Sequence, residues 1–282
     1  MITATMLDAL RAQVRGWRQA GQRVAFVPTM GNLHAGHYSL VTLARQHADR
    51  VVASVFVNPT QFGPNEDFER YPRTPEADAQ GLDEVGCDLL WLPSVETMYP
   101  LGVASAVRMS VPGVTEVLDG AHRPGHFDSV ATVVARLFNQ VLPDVAIFGR
   151  KDYQQLAVIR HMVRDLAFPT EIVGAEIKRE DDGLAMSSRN QYLSTEERAT
   201  APVIHRVLQA MRDAALQGQA RREIERAATH ALERAGFVPD YAVLLTPAFA
   251  EPADGESGPR VALVAARLGR TRLIDNLEFE LP

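Results

Sequence analysis

Two histidines three residues apart, His34 and His37, stand in the run Pro28-Thr29-Met30-Gly31-Asn32-Leu33-His34-Ala35-Gly36-His37. Imidazoles beside a phosphate can donate hydrogen bonds to oxygens on which charge builds during reaction. Gly31 and Gly36 let backbone approach a ligand where a Cβ would collide. If a helix starts at or just before His34, the two rings share one face of its first turn. That helix end offers unpaired N–H groups and a partial positive charge, which suit phosphate. Taken alone, H-x-G-H reads equally as a βα turn with two solvent-facing histidines.

Three more groups of residues could serve the same chemistry. In Phe56-Val57-Asn58-Pro59-Thr60-Gln61-Phe62-Gly63, the amides of Asn58 and Gln61 can bind a hydroxyl and a carboxylate without acting as nucleophiles. A proline-anchored turn with a side-chain cap explains the same residues. In Phe148-Gly149-Arg150-Lys151-Asp152-Tyr153-Gln154-Gln155, Lys151 is a point charge suited to β- or γ-phosphates. Asp152 could take a ribose hydroxyl or cap a helix, and Gln155 lies one turn beyond Lys151. In Asp182-Gly183-Leu184-Ala185-Met186-Ser187-Ser188-Arg189-Asn190, two hydroxyls and a guanidinium make a phosphate clamp. Its alternative is a serine-rich linker ending in a helix cap.

The intervening pattern says what positions these groups. Residues 5–20 carry Leu7, Leu10, Val14 and Trp17 at helical spacing. Strands are expected at 23–28, 51–57, 87–92, 145–148 and 171–175, and helices at 34–48, 75–86, 128–142 and 153–166. Residues 93–127 read as irregular, and so does the loop 58–74 with Pro59, Gly63, Pro64 and Pro72. Strands alternating with helices imply a doubly wound parallel sheet, whose ligands sit beyond the carboxyl ends of its strands. The loops at 28–37, 58–65 and 149–155 each follow a strand and converge on that edge. Past residue 176 the pattern becomes a polar loop (179–190), helices at 195–217 and 220–235, then β runs at 241–245, 260–266 and 272–275. Adjacent strands without helices between them favour an antiparallel sheet. Residues 251–259 read as a plain hairpin loop.

The chain has 282 residues, is 46% hydrophobic and 23% charged, and carries a formal net charge of −6. That length suggests one large or two unequal domains, and the acidic balance argues mildly against a nucleic-acid partner. The single cysteine, Cys87, excludes an internal disulfide and fits a reduced, cytoplasmic setting. Asp8, Arg11, Arg15 and Arg18 interrupt the first helix, so it is no signal peptide. No run reaches the roughly 20 apolar residues of a membrane span.

In order along residues 23–276, the four quoted motifs and Arg272-Leu273-Ile274-Asp275-Asn276 resemble those of the pantoate–β-alanine ligases (pantothenate synthetases), within the H-x-G-H nucleotidyltransferases. Asn32, Ala35 and Tyr38 stand at positions of the first motif expected to tolerate variation. The resemblance implies an α/β fold: a Rossmann-like, doubly wound parallel sheet over 1–176, and a smaller α+β C-terminal lid domain with a short antiparallel sheet over 177–282. It implies a homodimer that condenses (R)-pantoate with β-alanine at the expense of ATP, giving pantothenate, AMP and pyrophosphate through pantoyl adenylate. Met30, Gly31, Asn32, Leu33, His34, Ala35, Gly36 and His37 would form the ATP segment, with His37 as proton donor. Gly149, Arg150, Lys151, Asp152, Lys178, Met186, Ser187, Ser188 and Arg189 would complete the ATP site. Gln61 and Gln155, with Asn58 beside them, would hold pantoate. His34, His37, Lys151, Ser187, Ser188 and Arg189 would stabilise charge on the phosphate oxygens. Mg²⁺ would arrive on those phosphates, since no acidic cluster could fix a metal by side chains alone. The same residues leave two rivals: an enzyme that joins AMP to a phosphate ester, and a nucleotide-binding regulator without chemistry.

Overall fold

The computed structural model describes residues 1–63 and 68–282. Pro64 and the last part of the 58–65 loop lie outside the described residues. The chain divides into two compact units, Met1–Glu176 and Ile177–Pro282.

The first unit runs β1 (Ile2–Ala4), α1 (Leu7–Gln19), β2 (Val24–Thr29), α2 (Ala35–His47), β3 (Arg50–Val55), α3 (Pro75–Glu84), β4 (Leu89–Trp91), α4 (Val95–Met98), α5 (Asp119–His122), α6 (His126–Val141), β5 (Val145–Gly149), α7 (Tyr153–Asp165) and β6 (Glu171–Ala175). Its six strands are all parallel, in the order β1-β4-β3-β2-β5-β6. Alternate residues of β2 show why both faces are covered. Val24 and Phe26 join a core with Leu10, Val14 and Trp17 of α1, Val130 and Phe138 of α6, and Leu156 and Ile159 of α7. Ala25 and Val27 join a second core with Val41 and Ala44 of α2 and Leu82 of α3. A strand buried on both faces reads as an unbroken apolar run, which is what residues 24–27 are. The fold is therefore the doubly wound parallel sheet that the spacing implies.

The strand order reverses at β2, which has β3 on one side and β5 on the other. The loops leaving β2 and β5 thus part at the switch point, where such sheets bind ligands. Two features differ from the sequence reading. Three-residue β1 pairs with β4, too short to show a period. The 93–127 stretch is not wholly irregular, for it contains α4 and α5.

The second unit contains α8 (Thr195–Thr200), α9 (Val203–Leu216), α10 (Arg221–Arg234), β7 (Val238–Leu245), β8 (Gly258–Leu268) and β9 (Thr271–Leu281). The strands form an antiparallel sheet, β7-β8-β9. Ile204, Leu208 and Met211 of α9 and Leu232 of α10 pack on Ala262, Val264 and Ala266 of β8. The single helix expected at 195–217 is broken at Pro202, which has no N–H to give and whose ring crowds the preceding turn. The strands run longer than their apolar cores suggest, because alternate positions of one face are polar. β7 carries Pro239 and a register shift at Pro239/Tyr241, and β9 carries exposed Glu278 and Glu280. The 251–259 stretch is the expected hairpin loop between antiparallel β7 and β8, except that Gly258 and Pro259 already belong to β8; Asp254 accepts from the Arg221 amide at 2.9 Å.

Candidate active site

His34 is the N-cap residue of α2, and the two histidines cap each other. The Gly36 amide donates to His34 Nδ1 at 3.1 Å, and the His34 amide donates to His37 Nδ1 at 3.3 Å. Their ring centroids are 4.1 Å apart. An Nδ1 that accepts from an N–H carries no proton, so each neutral ring carries its hydrogen on Nε2. Burial pushes His34 down to about 4, with the Lys151 ammonium adding to the effect. Burial pushes His37 down to about 3, with His34 and Lys151 adding. At neutral pH both rings are therefore hydrogen-bond donors without charge. In the free protein a ring of such low basicity gives a hydrogen bond through Nε2.

The loop before the helix is held open by a buried carboxylate. Asp78, in the first turn of α3 and 1% exposed, accepts from the amides of Asn32 at 2.9 Å and Leu33 at 2.8 Å. The Thr74 hydroxyl is 3.1 Å away on the same group. Gly31 (φ +83°) has no room for a Cβ, which would stand 3.1 Å from Asp78 Oδ2 and 3.0 Å from Val55. Met30, Leu33 and Gly36 are half-buried along this loop, and Ala35 is exposed.

Lys151 follows β5 and is half-buried. Its charge bears on both imidazoles, so three of the six groups that the sequence proposed for the phosphates lie near one another in the first unit. Arg150 Nε donates to the Gly174 carbonyl at 3.2 Å, and its amide continues the ladder to Ala175, so this guanidinium is engaged along β6. Asp152 is the N-cap residue of α7 but makes no side-chain cap. Of the glutamine pair, Gln154 is buried and pins the 114–119 loop through Val114 O, Val117 O and the Asp119 amide. Gln155 is left half-buried beside it.

Asn58 is fully buried, and its amide is spent within the protein. Its Oδ1 accepts from the Tyr99 hydroxyl at 2.7 Å and from Thr60, while Nδ2 donates to Gln61 Oε1 at 3.1 Å. In the structure it sets the Gln61 amide, one step back from the place that sequence gave it. The Gln61 carbonyl accepts from Arg123 at 3.3 Å and from His126 Nδ1 at 3.1 Å.

The remaining expected residues belong to the second unit. Lys178 O accepts from the Met186 amide at 2.9 Å, closing a small hairpin. Ser187 caps the 3-10 turn Ser188–Tyr192 by accepting from the Arg189 amide at 3.3 Å, which leaves its hydroxyl hydrogen to donate.

The family model described as pantoate-beta-alanine ligase matches residues 2–278. The chain belongs to the pantoate–β-alanine ligase family. A pantothenate synthetase of Xanthomonas oryzae pv. oryzae (strain MAFF 311018) is 70% identical over 277 residues, covering 98% of this chain and 99% of that one. The crystal structure of pantothenate synthetase from Thermus thermophilus superposes with a TM-score of 0.91 at 51% identity, over 98% and 99% of the two chains. A pantoate-beta-alanine ligase from Francisella tularensis, described as complexed with beta-gamma ATP and beta-alanine, gives 0.82 at 32% identity over 98% and 97%. The chain is thus an enzyme of this ligase family, with the Rossmann-like sheet of its solved members.

Sequence reasoning missed Asp78, Arg123 and His126 as supports of this ligase site. Asp78 left one trace: it shares a helix face with Leu82, four residues on, where an apolar residue would be usual. Among the described residues no three His, Cys, Asp or Glu side chains gather to hold a metal. No helix there is long and apolar enough to cross a membrane.

Proposed function

We propose that the chain makes pantothenate from (R)-pantoate and β-alanine, with its reciprocally capped histidines and Lys151 receiving the ATP phosphates. The observation that carries this assignment is the convergence of His34, His37 and Lys151 at the switch point between β2 and β5. A pantoate carboxylate oxygen attacks the α-phosphorus. The bond from that phosphorus to the α–β bridging oxygen breaks, and pyrophosphate leaves with its electrons. Charge grows on the α and bridging oxygens, where two neutral Nε2–H donors and an ammonium stabilise it without having to be desolvated first. The Gln61 amide, set by Asn58, and Gln155 hold the hydroxyls and carboxylate of pantoate. Uncharged amides suit that substrate, whereas a phosphate ester would call for Arg or Lys. The neutral amine of β-alanine then attacks the acyl carbon, the C–O bond to AMP breaks, and the amine releases a proton.

Met30–His37 and Gly149–Asp152 form the ATP site of the first domain. Lys178 and Met186–Arg189 belong to the second domain, and their part in binding ATP is read from the family resemblance. Imidazole, ammonium, hydroxyl and guanidinium are donors for phosphate and poor ligands for Mg²⁺. Mg²⁺ would therefore be held by the phosphates of ATP, where it would offset their charge. A homodimer is inferred from the family resemblance, and a cytoplasmic setting from the unpaired, buried Cys87.

The test is isotope exchange between pyrophosphate and ATP without β-alanine. Exchange that requires pantoate supports the adenylate. Exchange without pantoate, or only with β-alanine present, refutes it.

A further inference from the structure

The Arg-Leu-Ile-Asp-Asn run at 272–276 takes no part in the reaction just described. Its Asp275 is buried in β9 and grips the guanidinium of Arg179 with both oxygens, at 2.6 and 3.0 Å. The same guanidinium donates to Gly183 O at 3.1 Å and Asn276 O at 3.3 Å. Arg179 bridges to Ala185, and the Glu180 amide donates to Leu184 O at 2.9 Å, so residues 178–186 form a small hairpin. Leu184 and Ala185 are buried at its far side. At its tip Gly183 (φ +91°) presses on His205, whose Cδ2 would stand 2.8 Å from a Cβ. Met186, Ser187, Ser188 and Arg189 leave directly from this locked hairpin.

We propose that Asp275, acting through the Arg179 fork, is a positioning residue that presets Met186–Arg189 to receive the triphosphate. The proposal rests on the reading that this segment binds ATP. A buried ion pair brings little net stability, because desolvation offsets the attraction. Its two parallel bonds instead fix the direction of a planar group, and here that group is bonded to the hairpin tip. A segment already held in its bound conformation loses less entropy when ligand arrives. The hairpin belongs wholly to the second unit, so the geometry needs nothing beyond residues 177–282.

The experiment compares Asp275→Asn and Arg179→Lys, which keeps charge but loses the fork, with Arg189→Ala as a direct probe of ATP contact. Initial rates are measured against each substrate, and hydrogen exchange is followed at the Met186 and Gly183 amides. The expected result for Asp275→Asn and Arg179→Lys is a KM for ATP raised roughly 10- to 100-fold. The KM for pantoate stays put and Met186 exchanges faster. Should Asp275→Asn fail to fold, Arg179→Lys decides by the same readouts. If Arg189→Ala raises the KM for ATP while the paired variants lower only the melting temperature, the positioning role is overturned and the ATP reading survives. If Arg189→Ala also leaves that KM unchanged, the ATP reading itself falls.

Discussion

Asp78→Asn isolates what the buried carboxylate does for the phosphate loop. The substitution conserves volume and changes one oxygen to an NH₂. Asp78 Oδ2 accepts from Asn32 N, while Oδ1 accepts from Leu33 N and is bonded by Thr74. An asparagine can turn either way, and each way aims its NH₂ at a backbone N–H. The Thr74 hydroxyl can reverse and accept, but the amide cannot, so one backbone donor is always stranded. Losing a bond to a charged acceptor and leaving a buried N–H unpaired costs about 2–4 kcal/mol. For a unit of this size that lowers the melting temperature by about 5–15 °C. The loop from Met30 to His34 then loses its fixed path, and kcat/KM for ATP falls roughly 10- to 100-fold. Calorimetry and a pyrophosphate-release assay read the two effects. Thr74→Val removes only the hydroxyl and costs less than about 1.5 kcal/mol, with kinetics near normal. If Asp78→Asn melts and turns over like the parent, the carboxylate does not hold the loop and the reasoning fails.

Replacing His37 by Ala lowers adenylate formation by about 10²–10³, the usual loss of one donor to a developing oxyanion, and pyrophosphate release at the parental rate would contradict it. Because the folded values of His34 and His37, about 4 and 3, lie below the ordinary 6.5, the unfolded chain takes up protons first as pH falls. Their contribution to stability is therefore full above pH 6.5 and is lost as pH drops toward 3. Urea unfolding between about pH 7 and 4 measures the loss, which shrinks in His37→Gln. A Cβ at Gly81 would stand 2.2 Å from the Tyr38 hydroxyl, so Gly81→Ala destabilises by about 1–3 kcal/mol. Adding Tyr38→Leu restores most of that in denaturant melts, and no restoration would show that the strain lies elsewhere.

The candidate phosphate-binding residues His34 and Lys151 could be picked out in the sequence because each follows an apolar strand by a few positions. Val24–Val27 and Val145–Phe148 announce their own burial, and His34 and Lys151 follow within a few positions. What supports them was not legible, because the partners are distant in sequence. Asp78 meets Asn32 across 46 residues, and Asp275 meets Arg179 across 96. No local period encodes such pairs. Asn58 misled for a related reason: its type suits substrate or scaffold equally, and only Tyr99, across 41 residues, shows that it serves the scaffold. Short β1 and the short helices α4 and α5 are set by packing rather than pattern, so they too escaped.

Both borders of the three-stranded sheet are finished. One carries a proline and a kink that spoil the ladder, and the other carries Glu278 and Glu280 on its open rim. An incoming strand would meet a missing donor on one side and the charged, exposed Glu280 on the other. The sheet is therefore a poor template for its own extension. Edges finished in this way favour a sheet that stays at three strands.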